Sequence, residues 1–221
     1  MRTLYIANKN YSSWSLRPWI LLRVLGIPFE ERLVPFGKDY GFSPTHRVPC
    51  LVEDGITVWD SLAIVEFIAE HHAEVWPADR GARAWARSAC AEMHSGFAHL
   101  REICGMNCGV RMALNEIPPA LRADIDRIES LWADGIARFG GPWLAGEHFT
   151  AVDAFFAPVV YRIQTYGLEV NRGTRAYVDR MLHLHEMREW YEAGLAETWR
   201  HDGHEVDLAK YGRIVEDLRA V

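Results

Sequence analysis

The sequence has few cysteines and lacks any long apolar run. Only four of its 221 residues are cysteine, and none of the spacings is that of a small disulfide-bonded scaffold, so we expect reduced thiols in a cytoplasmic protein. No apolar stretch approaches the roughly 20 residues that a membrane-spanning helix needs. The first ten residues, MRTLYIANKN, become polar too early for a signal peptide. We therefore expect neither a secreted disulfide scaffold nor a membrane protein.

The sequence also lacks an excess of positive charge. The net charge is −6, whereas a nucleic-acid-binding protein is expected to carry a clustered excess of Lys and Arg. The chain also shows no internal repeat and no low-complexity segment. What it does contain is 49% hydrophobic residues, including nine tryptophans, which is enough to bury a sizeable core in one large domain or two small ones.

Strand and helix patterns alternate over the first 80 residues. Thr3–Ala7 and Glu31–Val34 have the composition of strands, and the apolar residues between Leu16 and Val24 recur at helical spacing. The segment CLVEDGITVW has an Asp-Gly pair between two apolar runs, which predicts a β-hairpin. A helix is predicted to follow from Ser61. The predicted order is β-α-β, a loop, then β-β-α.

Strand patterns stop after Trp76-Pro77. Helical periodicity dominates the rest of the chain, and four helices are predicted: Ala82–Arg101, Pro119–Phe139, Ala151–Tyr166 and Thr174–Ala193. The sequence thus predicts an α/β domain over residues 1–78 and an all-helical domain over residues 84–221.

Three serines precede the first predicted helix, in the stretch NYSSWSLRPW. Proline is tolerated in the first turn of a helix but loses a hydrogen bond further in, so Pro18 favours a helix start near Trp14 or Ser15, with Ser15 as the N-cap. Ser12 and Ser13 then lie beside free N–H groups at the positive end of the helix dipole, where an anion is stabilised. Alternatively, these two serines simply form a turn. The sequence lacks the G-x-S-x-G motif of serine hydrolases and the C-x-x-C motif of dithiol redox proteins.

The β-α-β-loop-β-β-α order is that of a thioredoxin-like domain, and with a helical second domain the chain resembles the cytosolic glutathione transferase family over nearly its whole length. The segment YSSWSLRPWILL is similar to the first helix entrance of serine-type, zeta-like members. Their pattern is a Ser-Ser-Cys triplet followed, after two residues, by an arginine. Here the triplet positions hold Ser12, Ser13 and Trp14, and the arginine is Arg17.

Two further segments carry the resemblance. RVPCLVEDGITVWDSLAIVEFIAE is similar to the strand-hairpin-helix that holds glutathione in this family, with Val48-Pro49 at its cis-proline and Asp60-Ser61 at its acidic-serine pair. FTAVDAFFAPVV is similar to the family's N-capping box in the second domain, formed by Thr150 and Asp153. All three segments occur in the order and at the spacing of the family.

The resemblance implies that glutathione is the co-substrate and that a serine hydroxyl stabilises its thiolate. Ser12 is the first candidate for this donor and Ser13 the second, while Ser15 is expected to be an ordinary cap. The backbone of Val48, ahead of a cis Pro49, is expected to bind the cysteinyl part of glutathione. Residues expected to hold the two ends of glutathione are Asp60 and Ser61 for the γ-glutamyl group, and Lys38 and Arg47 for the glycyl carboxylate.

The second substrate is expected to contact the helical domain. The candidates are His94, Met106, Asn107 and Arg111, all placed on or near a helix that could face the cleft. Cys104 and Cys108 lie four residues apart, but no second pair at ligand spacing accompanies them, so these two cysteines, like Cys50, are interpreted as core thiols and no metal site is predicted.

Three functions are compatible with these motifs. The first is conjugation of glutathione to small electrophiles, a detoxifying activity. The second is a zeta-like cis-trans isomerase of maleylacetoacetate-type diacids. Zeta-type isomerases carry an arginine at the position of Thr165 in this chain. Arg162 lies one helical turn earlier, and Arg111 could supply the missing positive charge. The third is an interaction module without chemistry, which the retained glutathione-binding motifs disfavour. We favour the transferase, and the resemblance also implies a homodimer.

Overall fold

Four short strands and two helices form the first part of the chain in the computed structural model, which describes residues 1–220. The elements are β1 (Arg2–Ile6), α1 (Ser13–Val24), β2 (Glu30–Leu33), β3 (Cys50–Glu53), β4 (Ile56–Trp59) and α2 (Ser61–Ala69). The strands form one sheet in the order β2-β1-β3-β4, in which β1 is parallel to β2 and antiparallel to β3. The predicted order of elements and the thioredoxin-like topology are confirmed.

Helix α1 begins earlier than predicted. Its N-cap is Ser12, and its first backbone bond runs from the Leu16 N–H to the Ser12 carbonyl (3.2 Å). Pro18 therefore lies in the second turn, where it cannot donate to the Trp14 carbonyl. The prediction that Ser15 caps the helix is wrong, because its hydroxyl accepts bonds from the Ala7 N–H (3.3 Å) and from the Ser12 hydroxyl (2.7 Å).

Helices dominate the second part of the chain. They are α3 (Arg80–Ser95), α4 (Ala98–Ile103), α5 (Pro119–Phe139), α6 (Ala151–Tyr166), α7 (Arg172–Leu182), α8 (His185–Ala196) and α9 (Asp202–Tyr211). The bounds of α5 and α6 are those predicted. The other two predicted helices are each divided into two, at Gly96-Phe97 and at His183-Leu184. No helix within residues 1–220 is both long and apolar enough to cross a membrane.

A two-stranded antiparallel ribbon is added to the helical domain and was not predicted. It pairs β5 (Val110–Leu114) with β6 (Gly212–Asp217). The partners are about one hundred residues apart in sequence, so no local pattern links them. The ribbon brings the residues after β6 close to the start of α1, where Arg219 donates to the Tyr11 hydroxyl (3.4 Å).

Helix α6 is the centre of the hydrophobic core. Nearly all of its residues are buried, and it packs against α1 and α3. The predicted capping box of Thr150 and Asp153 is present. The carboxylate of Asp153 is fully buried and accepts four bonds, from the Leu144 N–H (3.0 Å), the Thr150 N–H (3.0 Å), the Thr150 hydroxyl (3.5 Å) and the Tyr177 hydroxyl (2.9 Å). This box fixes the start of α6 and, through α6, the position of α1.

Candidate functional site

Two adjoining cavities lie between the first and second parts of the chain. One has a volume of about 590 Å³ and is lined by the start of α1 together with residues of α4, α6 and α9. The other, of about 700 Å³, is lined by the residues that precede β3 and by the start of α2. Trp14, Arg47 and Val48 line both cavities. They form one cleft, which we divide into an α1 cavity and an α2 cavity.

The N-terminus of α1 opens into the α1 cavity. Ser12 is buried and Ser13 half-buried, and both line this cavity. No side chain caps the helix, and within residues 1–220 the N–H groups of Trp14 and Ser15 have no hydrogen-bond acceptor. Two hydroxyls and two free N–H groups at the positive end of a helix dipole form a favourable environment for an anion.

The loop before Ser12 is held firmly by the C-terminal part of the chain. The Glu197 carboxylate accepts from the N–H groups of Lys9 (2.6 Å) and Asn10 (3.4 Å). The Trp190 indole donates to the Lys9 carbonyl (2.8 Å), and the Gly109 N–H donates to the Asn10 side chain (3.1 Å). These bonds fix the position of the two serines.

The α2 cavity contains the Val48-Pro49 and Asp60-Ser61 pairs. The Val48-Pro49 bond is cis, as the resemblance implies. Asp60 caps α2 by accepting from the Leu62 N–H (2.8 Å), and its φ of 74° is unfavourable for a residue with a side chain. Ser61 is fully buried, and its hydroxyl accepts from the Arg17 guanidinium (3.4 Å). Arg17 thus joins the starts of α1 and α2.

His94 lies in the α2 cavity, whereas it was predicted to contact the second substrate. Its Nε2 atom is 3.4 Å from a carboxylate oxygen of Asp60, and its ring meets the edge of Trp14 at 5.1 Å between centroids. Burial lowers the pKa of His94. A neutral imidazole therefore lies beside Asp60 in the α2 cavity.

Three further predicted residues lie outside the cleft. Lys38 is exposed and stands over the ring of Trp199. Asn107 is fully buried and holds its own loop by accepting from the Gly109 N–H (3.0 Å). Arg111 lies on β5 and donates to two backbone carbonyls and to Tyr191. These residue types are suited to binding glutathione or the second substrate, but the local fold places the three side chains outside the cleft. Met106 and Arg47 do line the cleft.

Besides Arg47, three arginines line the α1 cavity, and none of these three is among the binding residues predicted from the sequence. They are Arg17 of α1, Arg101 of α4 and Arg162 of α6. Burial and the neighbouring positive charges lower the pKa of Arg17 to about 9 and that of Arg162 to about 10. Both nevertheless remain cationic at neutral pH. Arg162 lies one turn before Thr165 in the sequence. Helical periodicity does not show that it faces the cleft, because a residue that faces a cleft and one that faces the core follow the same spacing.

All four cysteines are free and buried. Burial raises the pKa of Cys104 to about 12 and also raises those of Cys90 and Cys108. A buried thiol with a raised pKa is a poor nucleophile. We therefore expect no reaction of the native protein with a chromogenic disulfide reagent at neutral pH, and four reactive thiols after denaturation. Rapid labelling of the native protein would instead reveal a reactive cysteine and favour a thiol-reductase activity.

Comparison with known proteins assigns the family. The model of the glutathione S-transferase N-terminal domain matches residues 11–71, and that of the C-terminal domain matches residues 111–202. The chain belongs to the glutathione S-transferase family. It is thus a member of a family of enzymes that act on glutathione and electrophiles, and the glutathione S-transferase domains account for more than half of its length.

Relatives of this glutathione transferase family member include an isomerase and a transferase. It is 26% identical to a probable maleylacetoacetate isomerase of Caenorhabditis elegans, covering 76% of this chain and 81% of the relative. It is also 26% identical to the glutathione S-transferase GstB of Escherichia coli, covering 72% and 83%. A glutathione transferase homologue from Burkholderia, solved with bound glutathione, is 27% identical with a TM-score of 0.68, covering 87% and 97%.

Proposed function

We propose that this enzyme conjugates glutathione to small electrophiles and that the Ser12 hydroxyl stabilises the bound thiolate. The main support is that three motifs, distant in sequence, line one cleft: the two serines at the start of α1, the cis Val48-Pro49 pair and the Asp60-Ser61 pair. The binding of glutathione by the Burkholderia homologue supports the same assignment.

The chemistry requires a thiolate at neutral pH. A free thiol has a pKa of about 8.5, so only a few percent is ionised. A hydroxyl that donates to the sulfur, together with the free N–H groups of Trp14 and Ser15, favours the charged form. The thiol proton passes to solvent and the sulfur forms a bond to the electrophilic carbon. In a substitution a leaving group then departs with the bonding electrons, and in an addition to a double bond the neighbouring carbon takes a proton from solvent. Ser12 can turn its proton from Ser15 to the sulfur, because Ser15 keeps its bond from the Ala7 N–H.

The remainder of glutathione fits the α2 cavity. The N-terminus of α2 and the Ser61 hydroxyl are suited to the γ-glutamyl carboxylate, and Asp60 to the ammonium group beside it. The backbone of Val48 is exposed to the cysteinyl part, and Arg47, at the rim, is suited to the glycyl carboxylate. In this arrangement the sulfur points from the α2 cavity towards Ser12.

Replacing Ser61 by alanine is expected to raise the Kd of glutathione about tenfold, because a hydrogen bond to a charged group contributes roughly 1.5 kcal/mol or more. Isothermal titration calorimetry with glutathione measures the change directly. Ser88→Ala is a matched control, since Ser88 is exposed on α3 and donates only to a carbonyl of its own helix. An unchanged Kd in Ser61→Ala would place the γ-glutamyl group elsewhere.

A cis-trans isomerase of unsaturated diacids is the second candidate. The observation in its favour is that Arg162 reaches the α1 cavity, although Thr165 does not: Thr165 is buried and donates to the Asn107 carbonyl (2.6 Å). An isomerase returns glutathione unchanged, whereas a transferase consumes it. Measuring glutathione loss alongside substrate loss separates the two activities.

We also retain two proposals from the sequence. The first places the boundary between the domains at residues 78–84. The second is a homodimer, which would cover part of the apolar surface at the edge strand β4, where Ile56 and Trp59 are exposed.

A further inference from the structure

The α1 cavity concentrates positive charge that the protein itself does not neutralise. Arg17 and Arg162 are 1% and 5% exposed, and Arg101 is half-buried. Within residues 1–220 none of the three forms a salt bridge with a carboxylate. Buried arginines are normally paired, because an isolated buried charge is costly.

Each of these guanidinium groups also has a donor without an acceptor. The unpartnered buried atoms are Nε of Arg17, Nε of Arg101 and Nη1 of Arg162. The remaining bonds position the groups without neutralising them. Arg162 Nε donates to the Cys104 carbonyl (2.8 Å), and Arg101 donates to the carbonyls of Met93 and His94. The arginines are therefore held in place while part of their hydrogen-bonding capacity is unused.

The acidic residues of the cleft lie at its edges. Glu102 and Asp207 line the α1 cavity but are exposed, and Glu102 accepts a bond from the Tyr211 hydroxyl (2.6 Å). Asp60 lies in the α2 cavity, where it accepts from the Leu62 N–H and lies beside His94. An anion that enters the α1 cavity therefore meets three cations in its interior.

We infer that the second substrate carries a carboxylate and that Arg101 and Arg162, together with Arg17, bind it in the α1 cavity. The inference rests on the proposed function, because it assumes that glutathione occupies the α2 cavity. A planar guanidinium can bind a carboxylate through two parallel hydrogen bonds. Trp14, Met106 and Leu208 supply apolar surface for the body of such a substrate. The substrate class is thus a carboxylate-bearing electrophile.

Two glutathione conjugates of nearly equal shape test this inference. S-(4-carboxybenzyl)glutathione carries the carboxylate, and S-(4-carbamoylbenzyl)glutathione replaces it by an uncharged amide. Their Kd values are measured by calorimetry with the wild-type enzyme. We expect the carboxylate conjugate to bind about 10- to 100-fold more tightly, since hydrogen bonds between charged groups are about twice as strong as neutral ones.

Substitutions of the arginines test whether these residues cause the preference for the carboxylate conjugate. Arg101→Gln and Arg162→Gln are each expected to reduce the ratio of the two Kd values at least fivefold. Glutathione itself, which the proposed function places in the α2 cavity, is expected to bind as to wild type and so reports that the variant is folded. Arg101→Lys keeps the charge and is expected to retain part of the ratio. The control is Arg138→Gln, an exposed arginine of α5 remote from the cleft.

The other outcomes have separate meanings. Equal binding of both conjugates by wild type would overturn the inference and leave the transferase proposal intact. A loss of affinity in Arg101→Gln that is equal for glutathione and both conjugates would show that the arginines hold glutathione itself, which also overturns the inference. If wild type binds neither glutathione nor either conjugate, the proposed function fails.

Discussion

Replacing Ser12 by alanine is expected to lower kcat/KM for conjugation by roughly 30- to 100-fold at neutral pH, because the lost hydrogen bond to the thiolate contributes about 2–3 kcal/mol. The KM for glutathione should change little, since the groups that hold its backbone are in the α2 cavity. Steady-state kinetics with a chromogenic aryl halide give both values. A large rise in KM with unchanged kcat would assign Ser12 to binding and not to thiolate stabilisation.

Ser13→Ala is the matched comparison for this prediction. Ser13 lines the same cavity one residue further along and, within residues 1–220, its hydroxyl makes no hydrogen bond. If Ser12 is the donor, Ser13→Ala keeps most of the activity. If instead Ser13→Ala loses activity and Ser12→Ala keeps it, the donor is Ser13. Ser88→Ala again controls for removal of a serine away from the cleft.

Replacing Asp153 by asparagine is expected to destabilise the fold by about 3 kcal/mol, although this residue lies outside the cleft. Asp153 accepts four bonds from N–H and O–H donors, so an amide must turn its NH₂ group towards at least one of them. For a chain of this length we expect the Tm to fall by about 6–12 °C. Thermal unfolding followed by circular dichroism measures this change.

Asp126→Asn provides the control for this stability measurement. Asp126 is an exposed carboxylate that pairs with Arg122 one turn away on α5, and such pairs contribute about 0.5 kcal/mol or less. Equal losses of stability in the two variants would mean that the capping box does not hold α6. They would also remove the reason for expecting α6 to position α1.

The first domain was predictable because its patterns are local. The Asp54-Gly55 turn adopts positive φ at both residues, as the hairpin requires, and the cis Val48-Pro49 pair precedes β3. Helix α1 begins earlier than the hydrogen bond lost at Pro18 predicts, because that bond is only one contribution to the stability of the helix. The buried residues of α1, among them Trp19, contribute more by packing than the proline costs.

The rest of the site depends on contacts between distant segments. Arg101 and Arg162 enter the cleft only because α4 and α6 are brought together, and a helical pattern does not identify which polar residue faces a cavity. The β5–β6 ribbon and the bonds from Glu197 to the loop before Ser12 likewise join segments far apart in sequence. Asn107 and Arg111 had suitable chemistry, but the ribbon and its preceding loop direct them away.

The central claim is that glutathione is bound as a thiolate stabilised by Ser12. The most direct measurement is the ultraviolet absorbance of the thiolate, followed against pH for glutathione bound to the wild-type enzyme and to Ser12→Ala. We expect the pKa of the thiol bound to wild type to lie at least one pH unit below its free value of about 8.5, and to rise by about one to two units in the variant. A bound thiol that titrates at its free pKa in wild type would contradict the account.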